Sequence, residues 1–267
     1  MSLSPLALIV RAPGTNCDVE TAHAFQLAGA RVETVYLPRI LERPGLLDAA
    51  QIFCIPGGFS YGDDIAAGRI FARHLTGRLE DSLLRFRDRG HLILAICNGF
   101  QVMLQSSLLI QDNVGGTTIA TLTHNESTRF EARWVRLRVG QTRSVFLQGL
   151  ETLELPVAHA EGRFAVASRE RLAELRERGQ CALHYATNPQ TVDEAQGMMR
   201  SPGYPANPNG SVDDLAGLSD VSGHVLGLMP HPERFVDPTQ HPEWTRRRRD
   251  LTPDGLSLFQ NAVRYFA

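Results

Sequence analysis

The chain has 267 residues and a net charge of −2. That length can bury a full core without disulfides or a structural metal, and the charge gives no electrostatic pull toward nucleic acid. No stretch approaches the roughly 18 unbroken apolar residues of a membrane span. The opening MSLSPLALIV lacks a basic flank, and its apolar run is too short for a secretory signal. The expectation is therefore one soluble domain over residues 1–267, cytoplasmic, with no nucleic-acid or membrane partner.

In chain order, an apolar run at 6–10 leads into the turn-rich Arg11-Ala12-Pro13-Gly14-Thr15-Asn16. Asp18 is placed to cap a helix over 19–28, which Gly29 stops. Strands are predicted over 31–37 and 51–55. Pro56-Gly57-Gly58 follows the second, and a helix is expected to begin near Asp63 and Asp64. Residues 78–89 read as an amphipathic helix closed by Gly90, and 91–96 as a strand apolar on both faces. Strands without a polar face, alternating with helices, predict a parallel sheet covered on both sides.

The second half changes character. Residues 130–139 alternate, as a half-buried antiparallel strand does. Short strands are predicted over 155–159, 164–167 and 181–186. From Thr187 to Gly210 four prolines and little periodicity predict a long surface loop. An apolar strand over 223–229 ends in Pro230-His231, and 256–266 is a closing helix.

The four cysteines are scattered with no C-x-x-C pair, which argues against a zinc ribbon or a thioredoxin-type site. Cys54 and Cys181 lie in apolar strands and read as buried, inert thiols. Cys17 lies in a loop, and its role stays open. Cys97 stands where the apolar run LILAI turns into a helix, with Ala95 and Gly99 as small neighbours. A nucleophile on such a turn is held exposed, and the helix start favours thiolate and can hold an oxyanion. By position alone, a structural cysteine at a strand end is the stronger reading, and the small neighbours bring the two level. Pro56-Gly57-Gly58, also past a strand end, can present backbone N–H groups to a substrate or can be an ordinary turn.

A base for the thiol is offered twice, by His231-Pro232-Glu233 and His241-Pro242-Glu243. The first follows the apolar strand at a sheet edge. Proline biases His231 toward extended backbone, where residues two apart share a side, so Glu233 can hold the imidazole while its other nitrogen faces Cys97. The second lies in a polar stretch and reads as a solvated loop. A metal site from His231, Glu233 and His241 matches no common ligand spacing, so no metal is expected. For His159 and Glu161 a polar strand end and a contact with substrate stand level.

Taken together, PGGFSYGDD at 56–64, ICNGFQ at 96–101 and MPHPERF at 229–235 resemble the class I glutamine amidotransferases. The closer likeness is to the glutaminase subunits and domains of phosphoribosylformylglycinamidine synthase, and GTNCD, HAEGRF and NPNGS extend it along nearly the whole chain. The resemblance implies an α/β fold: a flavodoxin-like, mostly parallel sheet with helices on both faces and extra antiparallel strands. It implies that Cys97 attacks the carboxamide of glutamine, that His231 shuttles the proton and that Glu233 orients His231. Gly57, Gly58, Phe59 and Asn98 would supply the oxyanion hole, and Gln101 would contact substrate. Implied partners are glutamine, a synthetase subunit that converts formylglycinamide ribonucleotide to its amidine, and a small accessory subunit. The chain has no G-x-x-x-x-G-K-[ST] loop, so no cofactor is expected in it, and ATP and Mg²⁺ are expected on the synthetase. Ala95 departs from the family's usual glycine, and the segment 187–203 and the arginine run 246–249 match no assigned role. The alternatives are an amidotransferase of another pathway, a free-standing cysteine hydrolase on the same architecture, or a non-catalytic binding module.

Overall fold

The computed structural model describes residues 4–63, 68–111, 119–187, 202–247 and 251–267. Its first half runs β1 (Leu6–Arg11), α1 (Asp18–Leu27), β2 (Arg31–Tyr36), α2 (Leu37–Glu42), β3 (Ile52–Ile55), α3 (Arg69–His74), α4 (Glu80–Asp88), β4 (Leu92–Ile96) and α5 (Asn98–Met103). The second half adds β5 (Ala120–Thr123), β6 (Glu131–Val139), β7 (Thr152–His159), β8 (Arg163–Val166), α6 (Arg169–Glu177) and β9 (Cys181–Ala186). It closes with β10 (Leu215–Ser219), β11 (Val225–Leu228) and α7 (Asp254–Arg264).

Nine strands form one sheet in the order β2-β1-β3-β4-β11-β10-β9-β6-β7. From β2 to β11 neighbours are parallel, and from β11 to β7 they are antiparallel. β5 and β8 make a separate antiparallel pair. Every residue of β3 (IFCI), β4 (LILAI) and β11 (VLGL) is buried, as a central parallel strand covered on both faces requires. Edge strand β7 instead alternates, burying Leu153, Leu155, Val157 and His159. Its Pro156, which has no N–H to donate, is tolerated because β7 is an edge. Helices α1 and α7 pack on each other through Phe25 and Phe259, edge-to-face at 4.8 Å between ring centres.

Four strands separate β4 from β7 in the sheet. Yet the Pro156 carbonyl accepts the His231 N–H at 2.8 Å, and the Ala158 carbonyl lies 3.9 Å from Cys97 Sγ. The antiparallel half therefore curls back until its edge stands over the carboxyl ends of β4 and β11.

The parallel strands fall where the sequence puts them, with three corrections nearby. Cys17, not Asp18, takes the cap position of α1; Asp18 lies in the first turn and pairs with Arg11 at 3.2 Å. The strand predicted to run through Leu37 stops at Tyr36, because Pro38 favours the first turn of α2. The helix predicted over 78–89 begins at Glu80, after a π turn over Leu75–Leu79. The helix start placed near Asp63 and Asp64 falls largely outside the described residues, and α3 begins at Arg69. Most of the long loop from Thr187 also lies outside them, as do Arg248 and Arg249. Strand β10 escapes sequence reading because it is five residues with Gly217 at its centre. Helix α6 escapes because RERLAELRE buries only Leu172 and Leu175.

Close packing of α5 onto β3 depends on Gly99, where an added Cβ would lie 2.1 Å from the Ile55 carbonyl oxygen. Gly99→Ala should cost about 1–3 kcal/mol of stability, the usual scale for overpacking. Gly77→Ala, with nothing within 4 Å of its Cβ position, should be neutral or stabilising by up to about 1 kcal/mol. Denaturant midpoints of the two variants check the ranking.

Candidate active site

Cys97 closes β4 and opens α5 with φ 51 and ψ −105, a left-handed-side conformation that costs energy in a non-glycine residue. Three backbone bonds hold it: Cys97 N–H donates to the Leu228 carbonyl at 2.7 Å, and its own carbonyl accepts the Phe100 N–H at 2.9 Å and the Gln101 N–H at 3.1 Å. The thiol faces a cavity of about 140 Å³ lined by Cys17, Gly58, Gln101, His159, His231 and Arg234, among others.

His231 is buried and its Nδ1 lies 2.6 Å from Glu233 Oε1. Glu233 reaches it from a 3-10 turn over Pro232–Arg234, not from the extended chain that the sequence reading invoked. The contact is the same, but the turn also brings Arg234 to the cavity. Burial opposes a charged imidazole, yet Glu233 and then Cys97 outweigh it and hold the His231 pKa well above 6.5. Its Nε2 has no hydrogen-bond partner among the described residues. A Cβ on Gly57 would fall 2.8 Å from the His231 ring and 3.1 Å from Cys17 Sγ, so the glycine lets the ring lie against backbone.

The glycine loop is tied to the loop after β1. Phe59 N–H donates to the Gly14 carbonyl at 3.0 Å, and Cys17 N–H to the Gly57 carbonyl at 3.3 Å. The Phe59 N–H is thus already committed, which corrects its place in the expected oxyanion hole and leaves Gly57 and Gly58 as that loop's candidates. Phe59 does line the cavity, with a half-exposed ring. Asn98 is buried, with Oδ1 accepting from Ser60 Oγ at 2.5 Å and Nδ2 donating to Gln101 Oε1 at 3.0 Å. Gln101 Nε2 in turn donates to the Glu161 carbonyl at 2.6 Å. This chain of amides ties α5 to the loop after β7 and sets the cavity's width.

Cys54 is fully buried and its thiol is pushed well up by burial, while burial takes Cys181 up to about 12, as inert thiols should be. Cys17, open in the sequence, is buried on the cavity wall, 3.1 Å from the Arg234 guanidinium and 4.0 Å from His231 Nδ1. Cys17, His231 and Glu233 lie close enough together to hold a metal ion. Glu233 already occupies His231 Nδ1, however, and Arg234 sets a fixed cation on the sulfur. His241 stands apart, packed 4.4 Å from the Trp134 ring and 3.6 Å from Glu154. Arg234 and Phe130 also line the cavity, and sequence reading missed both. The one signal for Arg234 is its place directly after Glu233.

A cysteine on a strand-to-helix turn, beside a histidine–carboxylate pair and under a glycine loop, defines a cysteine-nucleophile site of the triad amidotransferase kind. The chain belongs to the CobB/CobQ-like glutamine amidotransferase family, whose model matches residues 4–266. It is 44% identical to phosphoribosylformylglycinamidine synthase subunit PurQ of Dehalococcoides mccartyi, over 97% of this chain and 96% of the relative. It is 36% identical to the same subunit of Treponema denticola, over 96% and 99%. The structure of PurLQS from Thermotoga maritima matches with a TM-score of 0.73 and 29% identity, over 99% of this chain and 100% of that one. A glutamine amidotransferase from the same organism shares the fold alone, with a TM-score of 0.53 and 14% identity.

Burial, and then the charge of His231, lower the His159 pKa from 6.5 to about 4. The folded state therefore holds this ring neutral where the unfolded chain takes up a proton. The resulting stability is full above about pH 6.5 and is lost as pH falls toward about 4, up to about 3 kcal/mol. His159→Phe should make the acid fall in unfolding free energy shallower than in the parent, as denaturant titrations at stepped pH will show.

Proposed function

We propose that this chain is the glutaminase subunit of phosphoribosylformylglycinamidine synthase, in de novo purine biosynthesis. It would hydrolyse glutamine and pass the ammonia to a synthetase that converts formylglycinamide ribonucleotide to formylglycinamidine ribonucleotide. The observation that carries the chemistry is the buried 2.6 Å His231–Glu233 contact beside Cys97 on its strained turn. The relatives and the PurLQS structure carry the pathway and support a synthetase partner. ATP and Mg²⁺ belong on that partner in this reading, together with a small accessory subunit, and the complex is cytoplasmic. Among the described residues no helix is long and apolar enough to cross a membrane.

In the reaction we assign, Cys97 Sγ gives its proton to His231 and attacks the glutamine carboxamide carbon. Glu233 stabilises the imidazolium through Nδ1. The N–H groups of Gly58 and Asn98 hold the oxyanion. The intermediate collapses, the carbon–nitrogen bond breaks, and His231 returns the proton to the departing ammonia. Water, deprotonated by His231, then cleaves the thioester and releases glutamate. Glutamine and water become glutamate and ammonia, and the thiol is restored.

Cys97→Ala should abolish glutamine-dependent synthesis by the complex while synthesis from ammonium salts persists. His231→Ala should slow thioester formation by at least about 10²-fold, the scale of a lost general base. His241→Ala should leave that rate nearly unchanged. Glutamine turnover by Cys97→Ala at the parental rate would remove the assignment.

The isolated chain should hydrolyse glutamine slowly, and its synthetase should raise turnover by favouring the competent oxyanion hole, at about 1.4 kcal/mol per tenfold shift. Glutamate release measured with and without synthetase, substrate nucleotide and ATP tests this. Full, partner-independent activity would favour a free-standing hydrolase.

A further inference from the structure

His159 ends the buried face of β7, where the alternation of Leu153, Leu155 and Val157 calls for another apolar side chain. Its ring is 4% exposed and lines the cavity. Two neighbours fix it there. Asn125 Oδ1 lies 3.0 Å from Nδ1 and also accepts the Gly162 N–H at 3.1 Å, while Asn125 Nδ2 donates to the Arg129 and His159 carbonyls, both at 2.8 Å. With both amide hydrogens spent on carbonyls, Asn125 presents an oxygen to the ring, so Nδ1 carries the proton and Nε2 is a bare acceptor. On the other side, a Cβ on Gly162 would lie 2.5 Å from ring atoms, so only glycine leaves the imidazole its place.

The acceptor Nε2 is buried and has no hydrogen-bond partner among the described residues. A buried polar atom without a partner is costly, and one held this firmly on a cavity wall suits a ligand that donates to it. The neighbouring Ala158 carbonyl lies 3.9 Å from Cys97 Sγ, so this wall stands at the reacting end of the cavity. Glu161, farther along the same segment, has a more exposed carboxylate, which suits a full positive charge such as an α-ammonium.

We infer that His159 Nε2 accepts a hydrogen bond from the carboxamide N–H of bound glutamine. This inference rests on the proposed function and adds a substrate-contact residue to it. The contact holds the reacting amide with its nitrogen beside His231. It also discriminates: a glutamate carboxylate presents only acceptors to Nε2, so the site binds the amide and does not favour the product.

The test compares L-glutamine and L-glutamate, which differ at the atom in question. Their dissociation constants are measured for Cys97→Ala in complex with the synthetase, with and without His159→Phe. Glutamine affinity should fall at least tenfold, with glutamate affinity unchanged or improved. An unfolding midpoint close to the parent's and co-elution with the synthetase report that the variant is folded and docked. An equal loss for both ligands would assign His159 to the amino-acid head or to structure and overturn the inference, as would unchanged glutamine affinity. If His159→Phe does not fold, Asn125→Ala carries the test, since releasing the tautomer should weaken glutamine severalfold and leave glutamate alone; no selective change overturns the inference. A Cys97→Ala parent that binds no glutamine would overturn the proposed function itself, and this contact with it.

Discussion

The hydrogen bond from Cys97 N–H to the Leu228 carbonyl, 2.7 Å long, is the constraint on which the site depends. It joins the ends of β4 and β11 one residue past their parallel ladder, which pairs Ile96 with Leu228. The chain from Leu228 then has only Met229 and Pro230 in which to reach His231. Met229 N–H is taken by the Ala216 carbonyl and His231 N–H by the Pro156 carbonyl, so the path is fixed at each step that has a donor. Cys97 and His231 are 134 positions apart in sequence, and one ladder and three backbone bonds make them neighbours.

The same region concentrates buried charge. His231 and Glu233 are 2% and 0% exposed, and Glu233 Oε2 has no hydrogen-bond partner among the described residues. A buried pair of this kind contributes little net stability, because desolvation opposes its Coulomb attraction. It persists because it sets the basicity and orientation of one imidazole. Arg234 adds a cation beside it, and Cys17 fills the space between the guanidinium and the histidine with a neutral, polarisable sulfur whose thiol burial pushes up.

The sheet divides the labour. Its parallel half supplies the nucleophile turn and the glycine loop at the carboxyl ends of β4 and β3, where ligands gather in α/β sheets. Its antiparallel half supplies the opposite wall, through β7 and the segment to Gly162. Gln101, steadied by Asn98, joins the two halves through its bond to the Glu161 carbonyl, and Asn125 braces the antiparallel wall through the His159 carbonyl; such bonds are directional and hold the wall in place.

Sequence by itself determined the parallel core, because unbroken apolar runs such as LILAI and IFCI can sit only where both faces are covered. It also determined the candidate nucleophile and base, since Cys97, His231 and Glu233 lie in local patterns whose geometry follows from adjacent residues. Tertiary structure decided what depends on distant segments. Nothing local in SVDDLAGLSD marks β10, whose burial comes from β9 and β11 on either side. The spent N–H of Phe59 follows from a loop that begins at Pro13, and the arrival of Arg234 at the cavity follows from the 3-10 turn over Pro232–Arg234. For His159, the residue name and its place on a strand left two roles level. The bond from Asn125, 34 positions away, fixes its tautomer, and the curl of the sheet brings the ring to the cavity wall. Long-range hydrogen bonds of this sort carry no local periodicity, so only the folded chain displays them.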